Sequence, residues 1–180
     1  MPHLRLALAA GGLLLAVPAL ASCGFDYPTE RVNTVGAGVT DREGTVDAAG
    51  TLVVAAQPDS GTLIGGLSNN SAESISLVSV TGEEGGVTVD EFEPVEVPGR
   101  GHVNLATLVE EDAGITLSGS FNAGDFVTVV LGFDNDESVT VEIPVMKACY
   151  QYEGLDVSGE GSEDPLYSCE AAESEAPAEH

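Results

Sequence analysis

Basic residues are nearly missing from this chain: five Lys and Arg stand against thirty Asp and Glu in 180 residues, for a formal net charge of -25 at pH 7. Nucleic-acid binding draws its affinity from Lys and Arg neutralising phosphates, so nucleic acid is excluded as a partner. A surface of this sign also cannot adhere to anionic lipid headgroups by charge. Tryptophan is absent and Phe and Tyr number five and four, so the core must be mainly aliphatic. Histidine (three), methionine (two) and cysteine (three) are scarce, which leaves little from which to build a soft-metal site. The first apolar run, Leu6 to Val17, falls short of the ~20 residues that a membrane-crossing helix needs, and no second run is longer. No Gly-x-Ser-x-Gly elbow, zinc-spaced His pair or phosphate-binding Gly loop occurs. Among thirty acids, carboxylate pairs are inevitable and identify nothing. The expectation is a protein that is not an enzyme, with no catalytic residues and no cofactor.

What is present begins with an address. Arg5 supplies a positive n-region, Leu6 to Val17 an apolar h-region broken by Gly11-Gly12, and Leu20-Ala21-Ser22 a small-residue cleavage zone, the order of a secretory signal peptide. An ordinary signal peptide requires no cysteine at the next position. Leu20-Ala21-Ser22-Cys23 resembles the bacterial lipobox, which implies acylation of the Cys23 thiol, by palmitate or a similar chain. Residues 1–22 are therefore expected to form a signal helix that is removed. Cys23 is the expected lipid attachment, and the protein is anchored to the cell membrane on its extracytoplasmic face without spanning it. The remaining 158 residues (180 minus 22) suffice for one domain. All thirty acids lie in that part, with only Arg31, Arg42, Arg100 and Lys147 as cations. Such a surface attracts cations or basic proteins, although solubility in a salty exterior accounts for the same composition.

Residues 23–35 read as a polar, proline-containing tether. From Thr45 onward, apolar runs recur between Gly, Asn, Asp and Pro clusters. In Phe126–Phe133, Val127, Val129, Leu131 and Phe133 share one face; in Ser138–Met146, Val139, Val141, Ile143 and Val145 do so. This period of two marks strands half buried in a sheet. Asp134-Asn135-Asp136-Glu137 reads as the hairpin turn between them. Pro144 has no N–H to give a ladder and belongs at an edge or bulge. Weaker strands are expected at Thr51–Ala56, Thr62–Leu67, Ile75–Val80, Val87–Val89, Val95–Val97, Val103–Leu108 and Ile115–Leu117, with no helical stripe between residues 34 and 146. The expected fold is all-β: a two-sheet antiparallel sandwich of immunoglobulin-like type over residues 36–150.

Residues 151–180 change character, with nine acids after position 152 and no Lys or Arg. Beyond Cys169 the composition cannot bury enough apolar surface to offset its ordering entropy, and disorder is expected. Outside the cytoplasm Cys149 and Cys169 are expected to pair as a disulfide. The competing reading is a thiol metal site, but no third ligand lies near in sequence. The bridge would tie Tyr150 to Cys169 against the sandwich, helped by Tyr150, Tyr152, Leu155, Leu166 and Tyr167.

The order of features from Val35 to Val145 resembles actinobacterial lipoproteins related to the PCu(A)C copper-chaperone family. The residues that carry it are the Asn-rich turn in Leu63-Ile64-Gly65-Gly66-Leu67-Ser68-Asn69-Asn70 and the turn Val97-Pro98-Gly99-Arg100-Gly101. To these add Leu117-Ser118-Gly119, Ala123-Gly124-Asp125, and Glu142-Ile143-Pro144-Val145 after Val141. The resemblance implies a cupredoxin-like sandwich. The family's copper site uses His and Met, two of them in a His-x-Met pair before the Leu-x-Gly stretch. Here those positions are Gly114 and Thr116, and the region of the other ligands holds Asp90, Glu91, Phe92 and Glu93. His102, Met146 and the terminal His180 are the soft donors left after the signal segment, too few for a Cu(I) site. No metal ligand is assigned.

His102 is expected on the surface at a strand start, Met146 in packing at the sandwich rim. Asp134–Glu137 lacks the Gly and distant Glu of a calcium loop. Asp90, Glu91 and Glu93 could meet a hard cation. The leading expectation is a non-catalytic binding or envelope-organising lipoprotein with a cation or protein partner. The alternatives are PCu(A)C-like metal handling and an enzyme whose site no motif reveals.

Overall fold

The structure, a computed structural model, describes residues 37–83, 86–111 and 113–170. The expectations for Cys23, the signal segment, His180 and the end of the tail lie outside these residues. The strands are β1 (Val39–Asp41), β2 (Val46–Gln57), β3 (Ser60–Asn69), β4 (Ile75–Gly82), β5 (Val87–Val89), β6 (Val95–Val97), β7 (His102–Asn104), β8 (Ile115–Gly119), β9 (Phe126–Phe133) and β10 (Ser138–Lys147), with a short helix α1 (Ala106–Glu110) after β7. Hydrogen bonds link them in the order β5-β8-β3-β2-β10-β9-β4-β6, with β1 added to β2 and β7 to β3. The result is a curled, cupredoxin-like β-sandwich.

The fold closes through β10. Its first part, Ser138–Pro144, pairs antiparallel with β9, and its last three residues, Val145–Lys147, pair parallel with Val53–Ala55 of β2. One strand thus belongs to both sheets, and this is the one parallel pairing among the described strands. Pro144 stands where β10 leaves one sheet for the other, so its missing N–H falls at a break in the ladder. The β9–β10 turn forms at Asp134–Glu137 as its residue types imply, with Asp136 in the left-handed region at φ 64°.

The alternation seen in the sequence fills the core. Val127, Val129, Leu131 and Phe133 lie beside Val139, Val141, Ile143 and Val145 in one buried cluster with Leu63, Leu67, Leu77 and Leu117. Each such side chain removed from water contributes on the order of 1.5–3 kcal/mol. β2 differs: Thr51 to Ala55 are all buried, because this strand is covered on both faces. Val53 and Ala55 enter the main core, whereas Leu52 and Val54 pack with Ile64 against Met146, Ala148, Tyr152 and Leu155. A bulge in β2 accompanies Gly50, which has φ 61°. Across from it, a Cβ on Gly65 would stand 2.9 Å from the Thr51 backbone, so only glycine fits.

Two expectations need correction. Val103–Leu108 is not one strand: pairing with β3 stops at Asn104, and the chain turns into α1. Asn104 Oδ1 accepts from the Ala106 N–H at 3.1 Å, and the Asn104 carbonyl accepts from the Thr107 hydroxyl at 2.7 Å. This local bonding competes with a sheet ladder and wins. Leu105 and Val109, one helical turn apart, are both buried. That is the stripe a strand reading hides. Second, Tyr150 and Leu166 do not hold the C-terminal segment by burial, being 70% and 41% exposed.

That segment, Cys149–Glu170, is nonetheless docked. Cys149 and Cys169 are disulfide-bonded, the pairing the sequence led us to expect. Tyr152 and Leu155 cover the outer face of β2 and β3, and Tyr167 is buried at its far end. Asp156 supplies the polar anchor. Its carboxylate accepts from the Ala56 N–H (2.6 Å), the Thr62 hydroxyl (2.9 Å) and the Ser158 N–H (2.9 Å).

Candidate functional site

β5 and β6 are the two ends of the hydrogen-bonded path, and the extended segment Asp90–Pro94 joins them. Beside this segment lies a groove of about 1090 Å³. Its apolar lining comes from Val78 and Val80 of β4, Val89 of β5, Phe92, Pro94, Val95 of β6, Val103 of β7 and Leu108 of α1. Val80 and Val95 belong to the buried core, against which Val89, Phe92, Val103 and Leu108 are packed. Val78 is 45% exposed. The same groove is lined by Asp90, Glu91, Glu93, Glu96 and Glu111, with no Lys, Arg or His lining it among the described residues.

The sequence pointed to three of these carboxylates and missed two. Glu96 points away from buried Val95 and Val97 in β6, so period two could have placed it outward. Glu111 follows α1, which was not expected. Asp90 is held: the Thr116 hydroxyl donates to its carboxylate at 2.6 Å, and its N–H donates to the Thr116 carbonyl at 3.0 Å. Glu91, Glu93, Glu96 and Glu111 are exposed and accept no hydrogen bond among the described residues.

The positions matched to the soft-ligand pair therefore have other work. Thr116 orients Asp90. Gly114 sits in a crowded place, where a Cβ would come within 2.8 Å of Val157 Cγ2. His102 is exposed on β7, opposite Ser68. Met146 lines a different, smaller hollow of about 350 Å³, beside the disulfide, Tyr150 and Tyr152. His102 and Met146 are thus not brought to one point, and among the described residues no three His, Cys, Asp or Glu side chains are disposed to hold a metal ion. Among the described residues the soft donors do not fit a Cu(I) site.

Two of the three carboxylates of the Asp134–Glu137 turn are spent within the protein. Asp134 accepts from the Ser76 N–H at 3.0 Å, and Glu137 accepts from the Thr45 hydroxyl at 2.8 Å and the Thr45 N–H at 3.2 Å. The Thr45 hydroxyl and, next, Asn135 hold the Glu137 carboxyl below its ordinary range. Burial pushes the Tyr167 phenol up, opposed by the Ala123 N–H that donates to its oxygen at 3.3 Å. Among the described residues no helix is long and apolar enough to cross a membrane.

No family model matches this chain, and no curated protein does. Among solved structures it is similar to the apo PCuAC domain from PmoF1, at 15% identity and TM-score 0.47, over 59% of this chain and 98% of that one. It is also similar to the copper-bound PCuAC domain from PmoF2, at 14% identity and TM-score 0.47, over 60% and 97%.

Proposed function

We propose that this chain is a lipid-anchored, non-catalytic binding protein of the cell envelope, held on the extracytoplasmic face through Cys23, with its ligand site in the groove between β5 and β6. The observation that carries the reading is the groove itself. Apolar side chains of four strands and α1 line it, Val78 exposed among them, and unpartnered carboxylates stand around them. An open apolar surface with convergent polar groups is where ligands bind by default. The anchor rests on the n-region, the h-region and Leu20-Ala21-Ser22-Cys23, and the absence of catalytic motifs supports a binding role.

A second reading is cation handling through Asp90, Glu91 and Glu93, which one segment carries along the groove without disposing the three around one point. Carboxylates prefer hard ions and take copper mainly as Cu(II). Titration of the purified domain with Cu(I), Cu(II) and Ca²⁺ separates the two readings. Weak, salt-sensitive binding of Ca²⁺ or Cu(II) is expected at most. Stoichiometric binding of Ca²⁺ or Cu(II), abolished by changing Asp90, Glu91 and Glu93, would replace the first reading with the second, and stoichiometric Cu(I) capture abolished by changing His102 or Met146 would contradict both.

The address is tested separately. Cys23→Ser should release the protein into the medium or leave it unprocessed, as read by fractionation and immunoblot. A processed mutant that still fractionates with membranes contradicts the anchor.

A further inference from the structure

The groove's two surfaces ask for opposite chemistry from one ligand. An ion satisfies the carboxylates and leaves exposed Val78 and the open sides of half-buried Val89, Val103 and Leu108 uncovered; a neutral apolar molecule does the reverse. Alternation of the two characters at short spacing is a property of an extended peptide, whose successive side chains point to opposite sides. The surroundings suit such a guest. β5 pairs only with β8 and β6 only with β4 among the described strands, and both give residues to the groove's lining, Val89 from β5 and Val95 and Glu96 from β6. Edge strands present free N–H and C=O groups that can accept an added strand. Charge fixes the sign of the guest: among the described residues five carboxylates and no cation line the groove, in a chain of net charge -25.

We propose that the groove docks an extended segment of a partner protein in which Lys or Arg alternates with apolar residues. This rests on the groove being the ligand site. The apolar side chains settle on Val78, Val89, Val103 and Leu108, while the cations meet Glu91, Glu93, Glu96 and Glu111. Complementary charge of this kind acts mainly on encounter rate and partner choice, the apolar contacts on residence time.

The test uses the chain carrying Cys23→Ser, to remove the lipid, and a fluorescent decapeptide of alternating Lys and Leu, read by anisotropy. Binding should weaken as ionic strength rises from about 0.01 M to about 0.15 M, which shortens the screening length from roughly 30 Å to 8 Å. The triple variant Glu91→Gln, Glu93→Gln, Glu96→Gln should lose affinity about tenfold, the sum expected of three exposed charge pairs. A variant with the same charge removed elsewhere, Glu142→Gln, Glu153→Gln, Glu163→Gln, should lose less than about twofold. Equal losses in the two variants would mean attraction by net charge alone, and would overturn the docking. A Lys/Ser decapeptide that binds as tightly as the Lys/Leu one would also overturn it, since the apolar lining would then play no part. If neither peptide binds while Ca²⁺ does so in a manner sensitive to the Glu91, Glu93, Glu96 variant, the peptide inference fails and the groove remains the ligand site.

Discussion

On the outer face of β2 and β3, Leu52, Val54 and Ile64 lie under Tyr152 and Leu155 of the chain's own C-terminal segment. At the β5–β6 end, exposed Val78 and half-buried Val89, Val103 and Leu108 line an open groove. The polar groups differ in the same way. Under the segment, Asp156 accepts three hydrogen bonds from fixed donors; around the groove, four of five carboxylates are exposed with no partner among the described residues. An apolar face covered by the chain and finished with satisfied carboxylates is structure. An apolar face left open and ringed with unsatisfied charge is a surface waiting for something else. The two regions can be told apart by what their removal does to the fold.

Breaking the covered region should have the largest effect. Replacing Cys149 and Cys169 together by Ser removes a cross-link across 20 residues, worth roughly 3 kcal/mol in the chain-entropy account. The urea midpoint should fall accordingly, and limited proteolysis should open between Gly154 and Ser162 before the sandwich is cut. A loss below about 1 kcal/mol would mean that the segment's own contacts hold it and that the bridge adds little.

Asp156→Ala should come next. It leaves the Ala56 and Ser158 N–H groups and the Thr62 hydroxyl without their acceptor, at about 1–3 kcal/mol. Amide exchange at Ala56 should accelerate, while exchange in β9 and β10 changes only as far as global stability does. Asp156→Asn keeps one acceptor oxygen and should fall between. If Asp156→Ala unfolds at the wild-type midpoint, the carboxylate is not the anchor that its geometry makes it.

The two regions also differ in how far the sequence reveals them. Strong alternation gave β9, β10 and their turn, with β9 matching Phe126–Phe133 to the residue and β10 extending one residue past Met146. Short valine-rich runs gave β5 and β6 as expected. What escaped was set by tertiary partners. The first part of β2, before Thr51, and β1 carry little apolar pattern. α1 is too short for its stripe to outweigh a β-branched run, and Asn104 decides the turn by local hydrogen bonding. The groove was half legible: Asp90, Glu91 and Glu93 stand out as a run, but Glu96 and Glu111 join them only once β6 and α1 have come together. Asp156 gave no signal, because its three donors come from β2, β3 and its own turn, and two of them lie about a hundred residues away.

The smallest effect on stability is expected where the effect on binding is largest. Glu91, Glu93 and Glu96 are exposed, so ionised or amidated they lose no hydration on folding, and none holds a donor that would be orphaned. Replacing all three by Gln leaves the apolar lining and the β4–β6 pairing intact. It also removes three like charges from one short stretch of a strongly acidic chain, whose self-repulsion opposes compactness. Surface changes of this kind fall within about 0.5 kcal/mol, and here the sign should be neutral or slightly stabilising. Urea unfolding at low salt gives the best chance of seeing the gain, since added salt screens the same repulsion in the parent protein. A loss of about 1 kcal/mol or more, beyond what such surface changes produce, would show that these carboxylates hold the fold together. The groove would then be another finished part of the structure, and the contrast with the covered face would collapse.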